Sequence, residues 1–270
     1  MNNHAQYWVN RLDPVMIHIH GDFGIRYYGV AYLLAFVFGY LVLRWYQRTG
    51  KSPLAPHQLG TVMTALILGV LLGGRLGYMI LYAWPEFIRE PWMAFRIWDG
   101  GMSSHGGFVG VALALGWLAF KLELPFFRLS DVLCAIAPIG LFLGRIANFV
   151  NGELWGKPAD VPWAVIVDGE ARHPSQLYEA GLEGLALFAI LWAFSSRQRP
   201  RYAVSGLFLL GYGIFRFGVE FVRLPDAHIG YLALGWVTMG QVLTLPMILG
   251  GLLLLWLAYR RGPVPVGQGA

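Results

Sequence analysis

The chain has 270 residues, of which 57% are hydrophobic and 13% charged. A soluble domain carries roughly 25% charged residues, so this composition excludes a soluble globular enzyme and implies a polytopic membrane protein. A formal net charge of +5 would suggest nucleic acid in a soluble protein, but here it reflects basic residues crowded into one set of inter-span connections, and no nucleic-acid partner is expected.

Met1 to Gly24 carries Asp13, Asp22, Pro14 and three histidines, and lacks the basic-then-apolar pattern of a cleaved signal peptide. A spanning helix takes about 20 mostly apolar residues. Seven spans are expected, at about 28–46, 60–82, 105–121, 131–150, 178–194, 203–222 and 237–259. The third is short and opens on His105-Gly106-Gly107. The expected fold is an all-α polytopic membrane protein with about seven transmembrane helices, forming one membrane-embedded domain over residues 1–270. Cys134, the single cysteine, lies inside the fourth run and reads as a small buried hydrophobe.

One set of connections holds Arg44, Arg48, Lys51, Lys121, Arg128, Arg197, Arg199, Arg201, Arg260 and Arg261. The opposite set holds Arg11, Arg26, Arg89, Arg96, Lys157, Arg172 and Arg223. The first is larger and hugs the span ends, so it is read as cytoplasmic, with the N-terminus outside and the C-terminus inside. Outer elements then fall at about 1–27, 84–104 and 151–177. The last contains Trp163 to Val167, then Asp168-Gly169, then Glu170 to Arg172, which predicts a β-hairpin in a small outer head. Glycines at four-residue spacing (Gly69, Gly73 and Gly77; Gly106 and Gly110; Gly140 and Gly144) predict close helix packing.

Polar groups inside apolar runs mark function, because a charge at membrane depth costs roughly 2.5–3.5 kcal/mol. The run from Gly144 to Gly156 crowds Arg145, Asn148, Asn151 and Glu153 together. A continuing helix sets Arg145, Asn148 and Asn151 on one face, and Glu153 is expected to pair with an arginine. Tyr212, Arg216 and Glu220 are four apart, with Arg223 following. Arg145 and Arg216, expected at one depth, form a candidate clamp for phosphate or carboxylate, although an Arg216–Glu220 ion pair is an equally good structural reading. His105 sits at a helix start in a glycine-rich turn, where structural and catalytic roles are evenly matched. His173 reads as a capping or anchoring residue. Tyr28 reads as an interfacial belt tyrosine on composition alone. Arg75 is open between substrate contact and helix bridging. There is no Gly-x-Ser-Gly, no HExxH and no P-loop, which sets aside an intramembrane serine protease, a zinc protease and a nucleotide enzyme.

These residues carry a resemblance. Tyr28, Asp99 to Gly107, Gly144 to Gly156, Arg172 to Glu179, the set Tyr212, Arg216, Glu220 and Arg223, and Met239-Gly240-Gln241 resemble bacterial phosphatidylglycerol–prolipoprotein diacylglyceryl transferases over nearly the whole chain. The segment between Gly156 and His173 is short for that family. The resemblance implies transfer of the diacylglyceryl group of phosphatidylglycerol to the lipobox cysteine thiol of a prolipoprotein signal peptide, with release of glycerol phosphate, in the bacterial cytoplasmic (inner) membrane with the active site toward the outer leaflet. It further implies His105 as base, Arg145 and Arg216 as stabilisers of the departing phosphate, and Tyr28, Asn148, Asn151, Glu153, Gly156, Tyr212, Glu220 and Arg223 as substrate-binding residues. In this scheme Glu153 and Glu220 hold the arginines. The partners are phosphatidylglycerol and the prolipoprotein signal peptide with its lipobox cysteine, within membrane lipid, and no metal or cofactor is expected. An anion or lipid transporter and a membrane scaffold are the competing classes. The polar span residues, all expected toward the outside, disfavour the first, and three arginines at membrane depth disfavour the second.

Overall fold

A computed structural model describes residues 7–20, 23–96, 100–225 and 230–260, without the side chains of residues 20, 23, 104 and 105. In chain order, three short strands, β1 (Trp8–Val9), β2 (Val15–His20) and β3 (Phe23–Arg26), lead into α1 (Tyr27–Arg48). The helices α2 (Gln58–Leu81), α3 (Trp84–Arg89), α4 (Ser104–Lys121), α5 (Phe126–Cys134) and α6 (Ala137–Val150) follow. Next come β4 (Val165–Val167), β5 (Glu170–Arg172), α7 (Ser175–Glu179), a π-helical stretch Ala180–Ala186 and α8 (Leu187–Ser195). The described chain closes with α9 (Ala203–Val219) and α10 (Met239–Arg260).

The protein is mostly helical, as expected of a polytopic membrane protein. Four helices are long and apolar enough to cross a membrane: Tyr27–Arg48, Gln58–Leu81, Ser175–Ser195 and Met239–Arg260. A fifth crossing exists if α5 and α6, broken at Ala135–Ile136, count as one span, and Gly106–Lys121 and Ala203–Val219 are shorter apolar helices. The expected sixth span reaches residue 222, but α9 ends at Val219. Glu220 and Arg223 therefore stand in the turn beyond it.

The described residues form two compact units. Met1–Gly39 and Leu133–Ala270 make one, and Tyr40–Val132 the other. In the second unit α2 and α4 touch through their backbones. A Cβ on Gly69 would meet the Gly110 carbonyl oxygen at 2.8 Å, one on Gly73 would meet Gly110 Cα at 2.7 Å, and one on Gly77 would meet Gly106 Cα at 2.5 Å. Small residues give this close approach in lipid, where apolar side chains gain nothing by leaving their solvent. Gly144 meets nothing within 4 Å among the described residues, so the spacing at Gly140 and Gly144 is not a packing seam. Arg75, 5% exposed, settles as structural: it donates to the carbonyl oxygens of Met93, Ala94, Arg96, Gly100 and Gly101. Met93 O also accepts from Arg96 N at 3.2 Å; one guanidinium fork gathers these carbonyls, of which those of Arg96, Gly100 and Gly101 stand outside helix and strand.

In the first unit the Asp168-Gly169 turn closes the expected hairpin, β4 against β5, with Val165 opposite Arg172. Both turn residues have positive φ, 51° and 81°, as a two-residue hairpin of this hand requires. The sheet gains β1, parallel to β4 with Trp8 opposite Val165. A second hairpin pairs β2 with β3, Val15 opposite Arg26. Neither is among the expected elements: a two-residue strand carries no pattern, whereas Ile17-His18-Ile19-His20 in β2 alternates as a strand does.

Candidate active site

Five elements bring charge to one end of the first unit. Arg145 stands five residues before the end of α6 and Arg216 three before the end of α9. Glu179 and Glu183 stand four and eight residues into the Ser175–Ser195 helix. At about 1.5 Å per residue, all four sit within roughly two turns of the helix ends that adjoin residues 151–174 and 220–225. Glu179, 1% exposed, lies 2.6 Å from Arg145 Nε, 3.0 Å from Arg216 Nη1 and 3.3 Å from Arg223 Nη1. Glu183, fully buried, lies 3.6 Å from Arg145 Nη2 and 3.9 Å from Arg216 Nη1. Glu220 pairs with Arg216 Nη2, stands 4.0 Å from Arg223 Nε and accepts from Thr238 Oγ1 at 2.6 Å. A Cβ on Gly240 would meet the Glu220 carboxyl carbon at 2.5 Å, so glycine there leaves the carboxylate its place.

Three guanidiniums thus face three carboxylates. Isolated buried charges would be prohibitive, whereas paired and cross-linked ones are tolerated. Glu179 and Glu183 are not among the expected site residues, yet two acids four apart inside an apolar run are a legible signal. What the sequence could not disclose is the π-helical stretch Ala180–Ala186 that carries Glu183. Such wide turns are rare and recur at functional sites.

The signature stretch ends α6 and starts the head. Asn151 is the C-cap of α6, and Gly152 follows with φ 71°. Gly152 N donates to Phe149 O and Glu153 N to Asn148 O, both at 3.1 Å, which closes the helix with a Schellman motif. Asn148, 6% exposed, donates from Nδ2 to Tyr28 Oη at 3.1 Å and to Glu153 Oε1 at 2.6 Å. Among the described residues Glu153 is therefore held by Asn148 and not, as expected, by an arginine: the turn after Gly152 folds it back over its own helix end. Leu154 then takes φ 62°, a conformation costly without glycine. Buried side chains fix it there, since Ser175 Oγ donates to Leu154 O at 2.8 Å and Gln176 Nε2 to Glu153 O at 2.5 Å.

Gly156 has a structural reason to be glycine. A Cβ would meet Val222 O at 2.6 Å and His173 O at 2.8 Å, because the segment 156–158 runs between two others. Gly156 bridges Arg223 on one side and Pro158 bridges Arg172 on the other. Lys157 N donates to Val222 O at 2.8 Å and His173 N to Lys157 O at 3.0 Å. His173 anchors locally, its Nδ1 3.1 Å from Tyr178 Oη, and burial pushes its imidazole below the ordinary value. Tyr212 lies one turn before Arg216 and stacks on Phe208 at 6.0 Å.

Tyr28, Arg145, Asn148, Asn151, Glu153, Gly156, Tyr212, Arg216, Glu220 and Arg223 all belong to this unit. His105 is the second residue of α4, whose N-cap Ser103 accepts from Gly106 N at 3.2 Å, but its side chain lies outside the described residues.

A mostly helical membrane protein with a buried arginine–glutamate network beneath a small β-containing head is a membrane-embedded enzyme in form. The comparisons name the kind. The prolipoprotein diacylglyceryl transferase family matches residues 14–257, and the chain belongs to that family. It is 50% identical to the phosphatidylglycerol–prolipoprotein diacylglyceryl transferase of Pseudomonas fluorescens (strain SBW25), over 95% of this chain and 96% of that protein. It is 51% identical to the protein of that name from Methylococcus capsulatus, over 93% and 97% of the two chains. The Solidesulfovibrio magneticus protein of the same name is 48% identical over 94% and 96%.

Proposed function

We propose that this chain transfers the diacylglyceryl group of phosphatidylglycerol to the cysteine thiol of a prolipoprotein lipobox, forming a thioether and releasing glycerol phosphate. Near-full-length identity to proteins of that name carries the reading. We read the chain as one inner-membrane transferase domain of seven spans with its arginine network toward the outer leaflet. The basic connections at Lys51, Lys121 and Arg197 to Arg201 support that orientation.

The chemistry is alkyl transfer. Sulfur attacks a glycerol carbon, the S–C bond forms as the C–O bond to phosphate breaks, and the electron pair leaves on the phosphate oxygen. Positive charge fixed in a dry site before the reaction stabilises that developing charge without reorganisation. Arg145 and Arg216 supply it, held in register by Glu179, Glu183 and Glu220. Asn151 Oδ1, buried and without a hydrogen-bond partner among the described residues, suits a headgroup hydroxyl, and Tyr28, Asn148, Gly156, Tyr212 and Arg223 line the same end. A thiol of ordinary pKa about 8.5 is only a few per cent ionised at neutral pH, and His105 takes its proton. That role rests on the sequence alone.

The experiment is direct. Purified protein should move labelled diacylglycerol from phosphatidylglycerol to a lipobox peptide, and absence of transfer would overturn the reading. His105→Gln should be nearly inactive at neutral pH and partly rescued toward the thiol pKa. A wild-type rate at neutral pH removes His105 from the role of base.

A further inference from the structure

A cavity of about 350 Å³ opens in the head, lined by Arg172, Arg223, Asp168, Trp155 and Val167 among others. This is the low end of small-ligand sites, which run about 300–1,000 Å³, and it is too small for a two-chain lipid. Its two arginines are placed by backbone: residues 156–158 bridge Arg223 on one flank and Arg172 on the other. Arg223 also reaches Glu179 in the buried network at 3.3 Å, so the cavity adjoins the place where the phosphate ester is cleaved.

We propose that this cavity binds the released glycerol phosphate on its way to water. The inference rests on the transferase reading above. The lipid phosphodiester carries one negative charge. The departing monoester carries about −1.5 to −2 at neutral pH, because its second pKa is near 6. The product therefore calls for more positive charge than the substrate did, and Arg172 provides it. Its partner Glu170 lies 2.5 Å away with a side chain 51% exposed. Arg172 itself is 24% exposed and also donates from Nη1 to Gly156 O at 3.5 Å; a pair with so open a carboxylate holds by about 1 kcal/mol, so the Arg172 fork turns from Glu170 to phosphate. Asp168 would repel a bare phosphate. Glycerol phosphate, however, presents two hydroxyls that donate to a carboxylate, and Asp168 thus selects a polyol ester over a simple phosphate. Trp155 and Val167 wall the carbon chain.

Calorimetric titration of the purified full-length protein with glycerol 1-phosphate tests this. Saturable one-to-one binding is expected, tighter than that of methyl phosphate. Arg172→Gln should weaken it about tenfold, and Asp168→Asn should erase the preference over methyl phosphate. Val167→Trp, which fills the cavity and leaves every charge in place, should abolish binding and decides the matter if Arg172→Gln does not fold. Failure of the wild type to bind, or wild-type binding in Val167→Trp, overturns the inference. Full displacement of glycerol phosphate by phosphatidylglycerol in nanodiscs also overturns it, since the cavity would then hold the lipid headgroup. The transfer assay separates the two readings: transfer without glycerol phosphate binding sinks only the product site, and no transfer sinks the function itself.

Discussion

A guanidinium presents planar, forked edges, and the Nε–Nη2 edge of Arg145 faces two acids, Nε toward Glu179 and Nη2 toward Glu183. Lysine keeps the charge and loses the fork. Arg145→Lys is therefore expected to lose at least about tenfold in transfer rate while its thermal unfolding in detergent moves little. A near-normal rate would take the phosphate-stabilising role from Arg145. Glu179 is the opposite case. Three arginines converge on it, so Glu179→Gln leaves buried positive charge uncompensated, a loss on the order of 3–5 kcal/mol, read as a fall in unfolding temperature. Cys134→Ala should retain transfer, and a lipid adduct found on Cys134 by mass spectrometry would contradict direct attack by the substrate thiol. His173 gives a pH dependence. Burial lowers its pKa below 6.5, so the unfolded chain takes up the proton first as pH falls. Its contribution is complete above pH 6.5 and declines as the pH drops from there to the lowered folded value. Unfolding temperatures of wild type and His173→Asn should converge over that acid window, and parallel curves would remove His173 as the cause.

Elements differ in how far the sequence discloses them. The long apolar runs, the Asp168-Gly169 hairpin and the Gly69-Gly73-Gly77 seam are legible because each depends on local pattern alone. The break at Ala135–Ile136, the π-helical turn and β1 are not, since each is decided by what packs against it. The same division holds in the site. Arg145, Arg216, Glu179 and Glu183 all stand out as charges in apolar runs, whereas the sharing of Glu179 among three arginines shows only when the helices meet. Glu153 shows the limit of reasoning by charge alone: a left-handed glycine at Gly152 turns it toward Asn148. Gly156 tests the crossing of the three head segments. In Gly156→Ala a new methyl meets two backbone carbonyls that cannot rotate away, so a cost of about 1–3 kcal/mol and loss of transfer are expected. Unchanged unfolding would show that the segments can separate.

Taken as a whole molecule, the chain's asymmetry is one of chemistry: head, network and cavity share one end of the first unit, and basic connectors lie at the other. In a Cys134→Ala background, Pro162→Cys should react with a membrane-impermeant maleimide added to spheroplasts, and Gln198→Cys only after lysis. The reverse pattern would invert the topology. The α2–α4 seam carries a further consequence, for temperature. Contacts driven by water release weaken on cooling, because apolar hydration carries a large heat capacity. Where Gly73 and Gly77 meet Gly110 and Gly106, backbone touches backbone inside lipid, and little water is released when they close. Dispersion between atoms at contact distance has no such heat-capacity signature. Hydrogen-exchange protection along this seam should hold nearly constant on chilling, while the water-facing head loosens first.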